Sequence, residues 1–446
     1  MAHYHSVSDE DYKSTKQEFQ SVANEEREGA SPPESQVQRR RIYKVPPPLH
    51  ANKEHVYDPV VLSLGPYHHG RPQFRPVEEF KSQILNRFVT AAQNKNIFYN
   101  KILERIDEIR SHYEEGSTDE LSDEAFAEMI LRDACFIIHY MELESDKKYD
   151  PLGMSVVSFM SRDFFMLENQ IPLWIIRLLI SLKYDKDEEE ALFCKFLSLI
   201  NFGDCRLTQI PWNNDNGNEP LHLLEAHRTT ILRQEKATEK FIRDQPWTWR
   251  RKSRSSQSVF KMASSQFRSV MDLKAKGIHF RPSSNCLRDI RFHSYSFYGL
   301  LQLPIWFVTN NTKVFFSNII AFEMSPEPYT DYAVVSYVSF MKTLIENAKD
   351  VKELREKGIL FSCLGSDEEV VKVFKQIDTF GMDYLGTFAD VRMRIGEHCD
   401  SKAKTWMAEL IHTYFHSPWT AIALFATILL LCLTFLQTFY TIHPAN

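Results

Sequence analysis

His68 and His69 lie between Gly65-Pro66 and Gly70 and form the adjacent pair that most invites a chemical reading. Imidazoles act as general acids and bases near neutral pH and as metal ligands. Adjacent residues on an extended segment point to opposite sides, so two such rings rarely meet on one metal. The spacing predicts hydrogen bonds to backbone groups in a turn instead. Glu168-Asn169-Gln170 is a polar triplet set between Leu167 and Ile171-Pro172. Buried polar groups must find partners, so the triplet is expected to satisfy loose backbone groups around Pro172. A catalytic Glu168 working with His68 or His69 is the enzymatic alternative. It requires those side chains to meet in a pocket, with at least one displaced pKa. His222 and His227 are five apart, a poor fit to one helical face, and are expected at caps or on the surface.

Little else points to catalysis. The chain contains no P-loop, HExxH, GxSxG, GxGxxG or EF-hand pattern. Ser-x-x-Lys recurs at Ser145/Lys148, Ser258/Lys261, Ser339/Lys342 and Ser401/Lys404, which shows how little it means alone. Glycine is scarce, 14 of 446 residues, or about 3% against a usual 7% or so. That counts against loops that cradle phosphates. No catalytic residue, cofactor or metal is therefore expected. The net charge of −6 argues against a nucleic-acid partner. Seven cysteines, widely spaced and without a CxxC pair, point to buried free thiols in a reducing compartment.

The elements that must position these residues are mostly helices. Apolar residues make up 43% of the chain, ample for a packed core. Residues 1–41 form an acidic arm, with eight Asp/Glu against three Lys/Arg up to residue 38, and are expected to be disordered. The domain proper is expected over 42–410. Seven prolines between 42 and 76 indicate a turn-rich segment. Helices are predicted over 77–110 and 123–144, where apolar residues recur at helical spacing. The apolar run 173–182 after Pro172 reads as a short core helix, with another helix over 191–200. Residues 246–269, with Arg250, Arg251, Lys252 and Arg254 among serines, read as a flexible basic linker. Alternation over 278–323 predicts a small antiparallel sheet, with a turn at Thr309–Thr312 and strand resuming at Val314 and Phe316. Pro304 inside it suggests an edge strand or bulge. Further helices follow, one capped by Asp350 and ended by Gly358, another opened by Ser366 with Glu369. The expected fold class is mainly α with a small antiparallel β-sheet (α+β), plus a C-terminal single transmembrane helix.

That last element rests on the tail. No Asp, Glu, Lys or Arg follows Glu409, and Trp419–Ile442 is 24 residues long. As a helix it would measure roughly 36 Å, against a hydrocarbon core of about 30 Å. Pro418 suits a first turn, Trp419 and Tyr440 suit the two interfaces, and Gln437 lies inside the segment. Arg392, Arg394, Lys402 and Lys404 precede the segment and no Lys or Arg follows it, which predicts a cytosolic bulk. With no signal peptide, the expectation is a single-pass, tail-anchored protein of the plasma membrane or an endomembrane. The sequon Asn310-Asn311-Thr312 would argue the reverse if glycosylated.

Five ordered blocks carry a family resemblance. They are Ile42–Pro46 followed by YDPVVLSLGPYHHG (Tyr57–Gly70), RDFFMLENQIPLWII (Arg162–Ile176), NIIAFE (Asn318–Glu323), Ser336-Tyr337 with Asp350-Val351 and Leu354, and the tail from Ser417. Together they resemble the plant family called domain of unknown function 247, the plant uncharacterised 0481 group. Its signature falls here on Tyr57, Pro59, Ser63, Gly65, Pro66, Tyr67, His68, His69, Gly70, Glu168, Asn169, Gln170 and Pro172, all expected to be structural. The resemblance implies a mainly helical protein with a membrane anchor and no catalytic residue to carry over. Some grass members resemble pollen-side determinants of self-incompatibility that work with small secreted proteins. The expected function is a membrane-anchored recognition protein that binds a protein partner, such as a small secreted one, through its helical lobe. The alternatives are the enzyme using Glu168 and a membrane tether whose basic residues 250–254 touch anionic lipid.

Overall fold

A computed structural model describes residues 40–50, 55–92, 95–146, 154–200, 209–210, 212, 219–233, 269–284, 286–326, 331–381, 387–401 and 418–442. The acidic arm and the basic linker 246–268, with Arg250–Arg254, lie outside the described residues. All elements below belong to the unit Arg41–Asn446.

The centre of the helical part is α5 (Asp123–Asp146). Asp123 and Glu124 favour its N-terminus through the helix dipole. Phe126, Ile130, Ile137 and Met141 recur at helical spacing and are all buried. Against it pack α2 (Arg75–Ala92), α3 (Lys95–Leu103), α7 (Leu173–Ser181) and α8 (Lys186–Ile200). The apolar run after Pro172 is the expected core helix, with Leu173, Ile175, Ile176, Leu179 and Ile180 buried.

The strands differ from expectation. β1 (Ile278–Pro282), β3 (Gly299–Leu303) and β2 (Arg291–Ser294) form one sheet in that order. β1 runs parallel to β3 and β2 antiparallel to it, so the sheet is mixed. β4 (Trp306–Val308) leaves this sheet and pairs in parallel with β5 (Leu360–Ser362), 52 or more residues away. Pro304 lies in the break between β3 and β4. The predicted strand at Val314 and Phe316 is instead helix Thr312–Glu323, in which all but Lys313 is buried. A helix buried on every side shows no 3.6-residue period, and its short apolar run cannot be told from a strand by pattern. Local capping signals fared better. Asp350 closes a capping box with Asn347, which is the N-cap of helix Ala348–Glu356. Ser366 caps helix Asp367–Gln376 by accepting the Glu369 N–H.

The transmembrane expectation is overturned. The tail does form a helix, Pro418–Ile442. Among the described residues, however, no helix is long and apolar enough to cross a membrane. The single-pass anchor, the tail-anchored topology and the membrane localisation therefore fall. Gln437 is exposed, and the side chains of Pro418, Trp419 and Tyr440 lie outside those described.

Cys135, Cys194 and Cys286 are free and buried, and burial pushes the Cys135 thiol up to about 12. Cys205 lies outside the described residues.

Candidate functional site

The segment 55–71 has no strand or long helix to absorb its backbone groups, yet much of it is buried. Buried N–H groups need acceptors, and the second signature block supplies them. Asp163 ends helix Met154–Asp163, and its Oδ2 accepts the N–H of Val60 (2.9 Å), Val61 (2.8 Å) and Leu62 (3.0 Å). Asn169 Oδ1 accepts the Leu64 N–H at 2.6 Å, and its Nδ2 donates to the carbonyls of Leu62 and Asp163. Asp133, on α5, accepts the Gly65 N–H at 2.8 Å. Lys81, on α2, is fully buried and donates to Asp133 (2.7 Å), to Glu78 and to the Ser63 carbonyl. Burial raises the Asp163 carboxyl to about 6, and the three N–H donors oppose that rise.

Other signature residues also hold backbone groups or are buried. Gly65 has φ +67°, and a Cβ there would lie 2.6 Å from the Gln170 carbonyl oxygen. Gln170 Nε2 donates to the Phe164 and Met166 carbonyls, while its Oε1 accepts the Leu224 N–H. The Tyr67 hydroxyl donates to the Ile42 carbonyl at 2.6 Å and accepts the Glu114 N–H. Tyr57 is buried edge-on to His50, and burial lifts its phenol to about 12. Pro59 and Pro172 are buried and Pro66 is half-buried. The His69 N–H donates to the Pro66 carbonyl, and Gly70 follows at φ +76°.

Glu168 and His68 do meet. His68 Nε2 lies 3.6 Å from one Glu168 oxygen, and His50 Nε2 lies 3.5 Å from the other. Glu168 also accepts the Val45 N–H at 2.7 Å, which ties the N-terminal segment down over the loop. Burial lowers His68 to about 4, with Arg71 adding to the effect. The expected hydrogen bonds from the His68 ring to backbone are not there: neither nitrogen has a partner among the described residues. Its side chain is 0% exposed, Glu168 is 12% exposed and His50 38%. Nothing in the sequence pattern flagged His50. His69 makes no such contact among the described residues. Nor is there, among them, a group of three His, Cys, Asp or Glu able to hold a metal.

His222 caps helix Leu223–Ile231, its Nδ1 accepting the Glu225 N–H. His227 is not on the surface; it is buried between Phe165 and Phe315, and burial lowers it to about 3.

A second candidate lies on the three-stranded sheet. Residues paired across strands share a face. One face carries Ile278, Phe280, Leu301 and Phe292 into the core. The other carries two rows, His279–Leu300–His293 and Arg281–Gln302–Arg291, all exposed or half-buried. At its end the β2–β3 turn displays Tyr295, Phe297 and Tyr298, which are 46%, 58% and 41% exposed. Tyr295 and Tyr298 stack with centroids 4.8 Å apart, and Tyr298 meets His279 edge-on at 5.6 Å. Three aromatics in a four-residue turn, where polar residues are usual, was the available signal.

Most of the chain has relatives. A UPF0481 protein of Arabidopsis thaliana is 27% identical over 423 residues, covering 89% of this chain and 85% of its own. A putative UPF0481 protein of the same plant is 22% identical over 480 residues, covering 89% of each chain. No solved structure matches. Residues 42–433 match the DUF247 family, described as a plant protein of unknown function, and the chain belongs to that family.

Proposed function

We propose that this is a recognition protein without catalytic activity, and that it binds a protein partner through the open face of its three-stranded sheet rather than through the helical lobe. The exposed aromatic turn Tyr295, Phe297 and Tyr298 carries this reading. Tyrosine, phenylalanine and arginine are enriched where proteins meet, and a clustered exposed apolar patch marks an interaction site. The signature residues support it from the other side. Glu168, Asn169 and Gln170 are taken up with holding backbone, and His68 is sealed from any substrate. A small secreted protein, as the family resemblance implies, fits such a role, and self-incompatibility would be one setting for it.

The test is a purification of partners from plant tissue with the wild type and with Y295A/F297A/Y298A, followed by titration with the recovered protein made separately. The expected result is a partner whose binding weakens at least tenfold in the triple variant while its melting curve stays unchanged. A partner that binds both forms equally overturns the reading.

A further inference from the structure

The charge around this face says what kind of partner it takes. The chain as a whole is net negative, yet Lys274, Lys357 and Arg281 bear on His279, and Arg291 and Arg394 bear on His293. Among the described residues, two carboxylates pair with three of these five cations. Glu353 is buried and held by Lys274 and Lys357, and Asp289 is buried and held by Arg291. Arg281 is exposed and makes no ion pair among the described residues. Arg291 is half-buried, and its Nη2 is buried with no hydrogen-bond partner among them.

We propose that this face binds an acidic, extended protein segment in which a carboxylate and a large apolar side chain stand two residues apart. This rests on the recognition reading above. The His279–Leu300–His293 row and the Arg281–Gln302–Arg291 row are two residues apart along each strand, or roughly 7 Å. An extended segment presents side chains i and i+2 on one side at that same separation. A carboxylate on the arginine row then places its apolar neighbour over Leu300 and against the Tyr295–Tyr298 stack. A second copy of the chain meeting face to face would set like charges opposite each other. Single-stranded nucleic acid is the other polyanion, but base stacking needs open ring faces. Tyr295 and Tyr298 each spend one face on the other.

The test uses the full chain and three probes: a random copolymer of glutamate and tyrosine, polyglutamate, and an oligouridylate. The glutamate–tyrosine copolymer is expected to bind best, and more weakly as salt rises. Arg281→Glu is expected to cut that binding at least tenfold. Arg281 has no ion-pair partner to lose among the described residues, and an unchanged melting curve of the variant is read alongside; Arg291→Gln, read by the same assay, supplies the second arm. Undiminished binding in both variants, or no binding of the copolymer by the wild type, overturns the acidic assignment. If Y295A/F297A/Y298A still lowers partner binding in that case, the recognition reading stands alone. Tighter binding of the oligouridylate, lost in Arg281→Glu, assigns the face to nucleic acid and overturns the proposal.

Discussion

His68 Nε2 faces a Glu168 carboxylate oxygen at 3.6 Å, and at neutral pH the buried ring that makes this contact is neutral. Burial holds the folded-state pKa at about 4, below the ordinary 6.5. Between those values the unfolded chain binds the extra proton, so stability falls as pH drops from 6.5 toward 4. The full loss is about 3 kcal/mol from this residue. His227 acts in the same direction, with a folded value of about 3. In His68→Gln the fall in urea-unfolding free energy over that window should be shallower than in the wild type. Parallel pH profiles would refute the assignment.

Asp163 works with the opposite sign. Its folded pKa is raised to about 6 from 3.8, so its contribution is present below 3.8 and is lost as pH rises through 6. Asp163→Asn keeps an acceptor for the Val60, Val61 and Leu62 N–H groups and removes a buried charge. It should stay within about 1 kcal/mol of the wild type at pH 7. Asp163→Ala strands three donors and should cost about 3 kcal/mol or more. Chemical denaturation separates the two, and equal effects would contradict the acceptor role.

Two glycines with similar backbone angles should respond differently to alanine. Gly65, at φ +67°, has the Gln170 carbonyl in the way of a Cβ, whereas Gly70, at φ +76°, has open space. Gly70→Ala should cost about 1–2 kcal/mol for the left-handed backbone alone. Gly65→Ala should cost clearly more, because the loop must also back away from Gln170. Melting temperatures of the two variants decide it.

Lys81 and Asp133 form an ion pair with both side chains buried. Lys81→Met leaves the carboxylate uncompensated and should cost about 3–5 kcal/mol. Adding Asp133→Asn restores neutrality and keeps an acceptor for the Gly65 N–H. The double variant should therefore be more stable than Lys81→Met alone. A double variant that is less stable would show that the charge is not the problem.

What was legible in the sequence was local. Ser366 and Asp350 are read from neighbours within four residues, and the helix after Pro172 from its own apolar run. What was not legible depends on distant partners. Lys81 finds Asp133 52 residues away, His50 finds Glu168, and β3 inserts between β1 and β2. The polarity of Glu168, Asn169 and Gln170 amid apolar neighbours pointed to backbone partners, but not to which: Val45 for Glu168, Leu62 and Leu64 for Asn169, and Phe164, Met166 and Leu224 for Gln170. The tail's helix was legible from its uncharged apolar run, but no helix among the described residues is long and apolar enough to cross a membrane. The sheet misled because alternation reports which residues are half-buried and not which strand lies beside which.

The acceptors around segment 60–65 take hold of backbone N–H groups: Asp163 those of Val60, Val61 and Leu62, Asn169 that of Leu64, and Asp133 that of Gly65. Such a grip measures chain length and is indifferent to most side chains. Exposed positions such as Val60 can therefore vary in composition. Inserting or deleting a single residue between Val60 and Gly65 would slide every donor past its acceptor at once. The segment tolerates substitution at its exposed positions and is intolerant of a change in count.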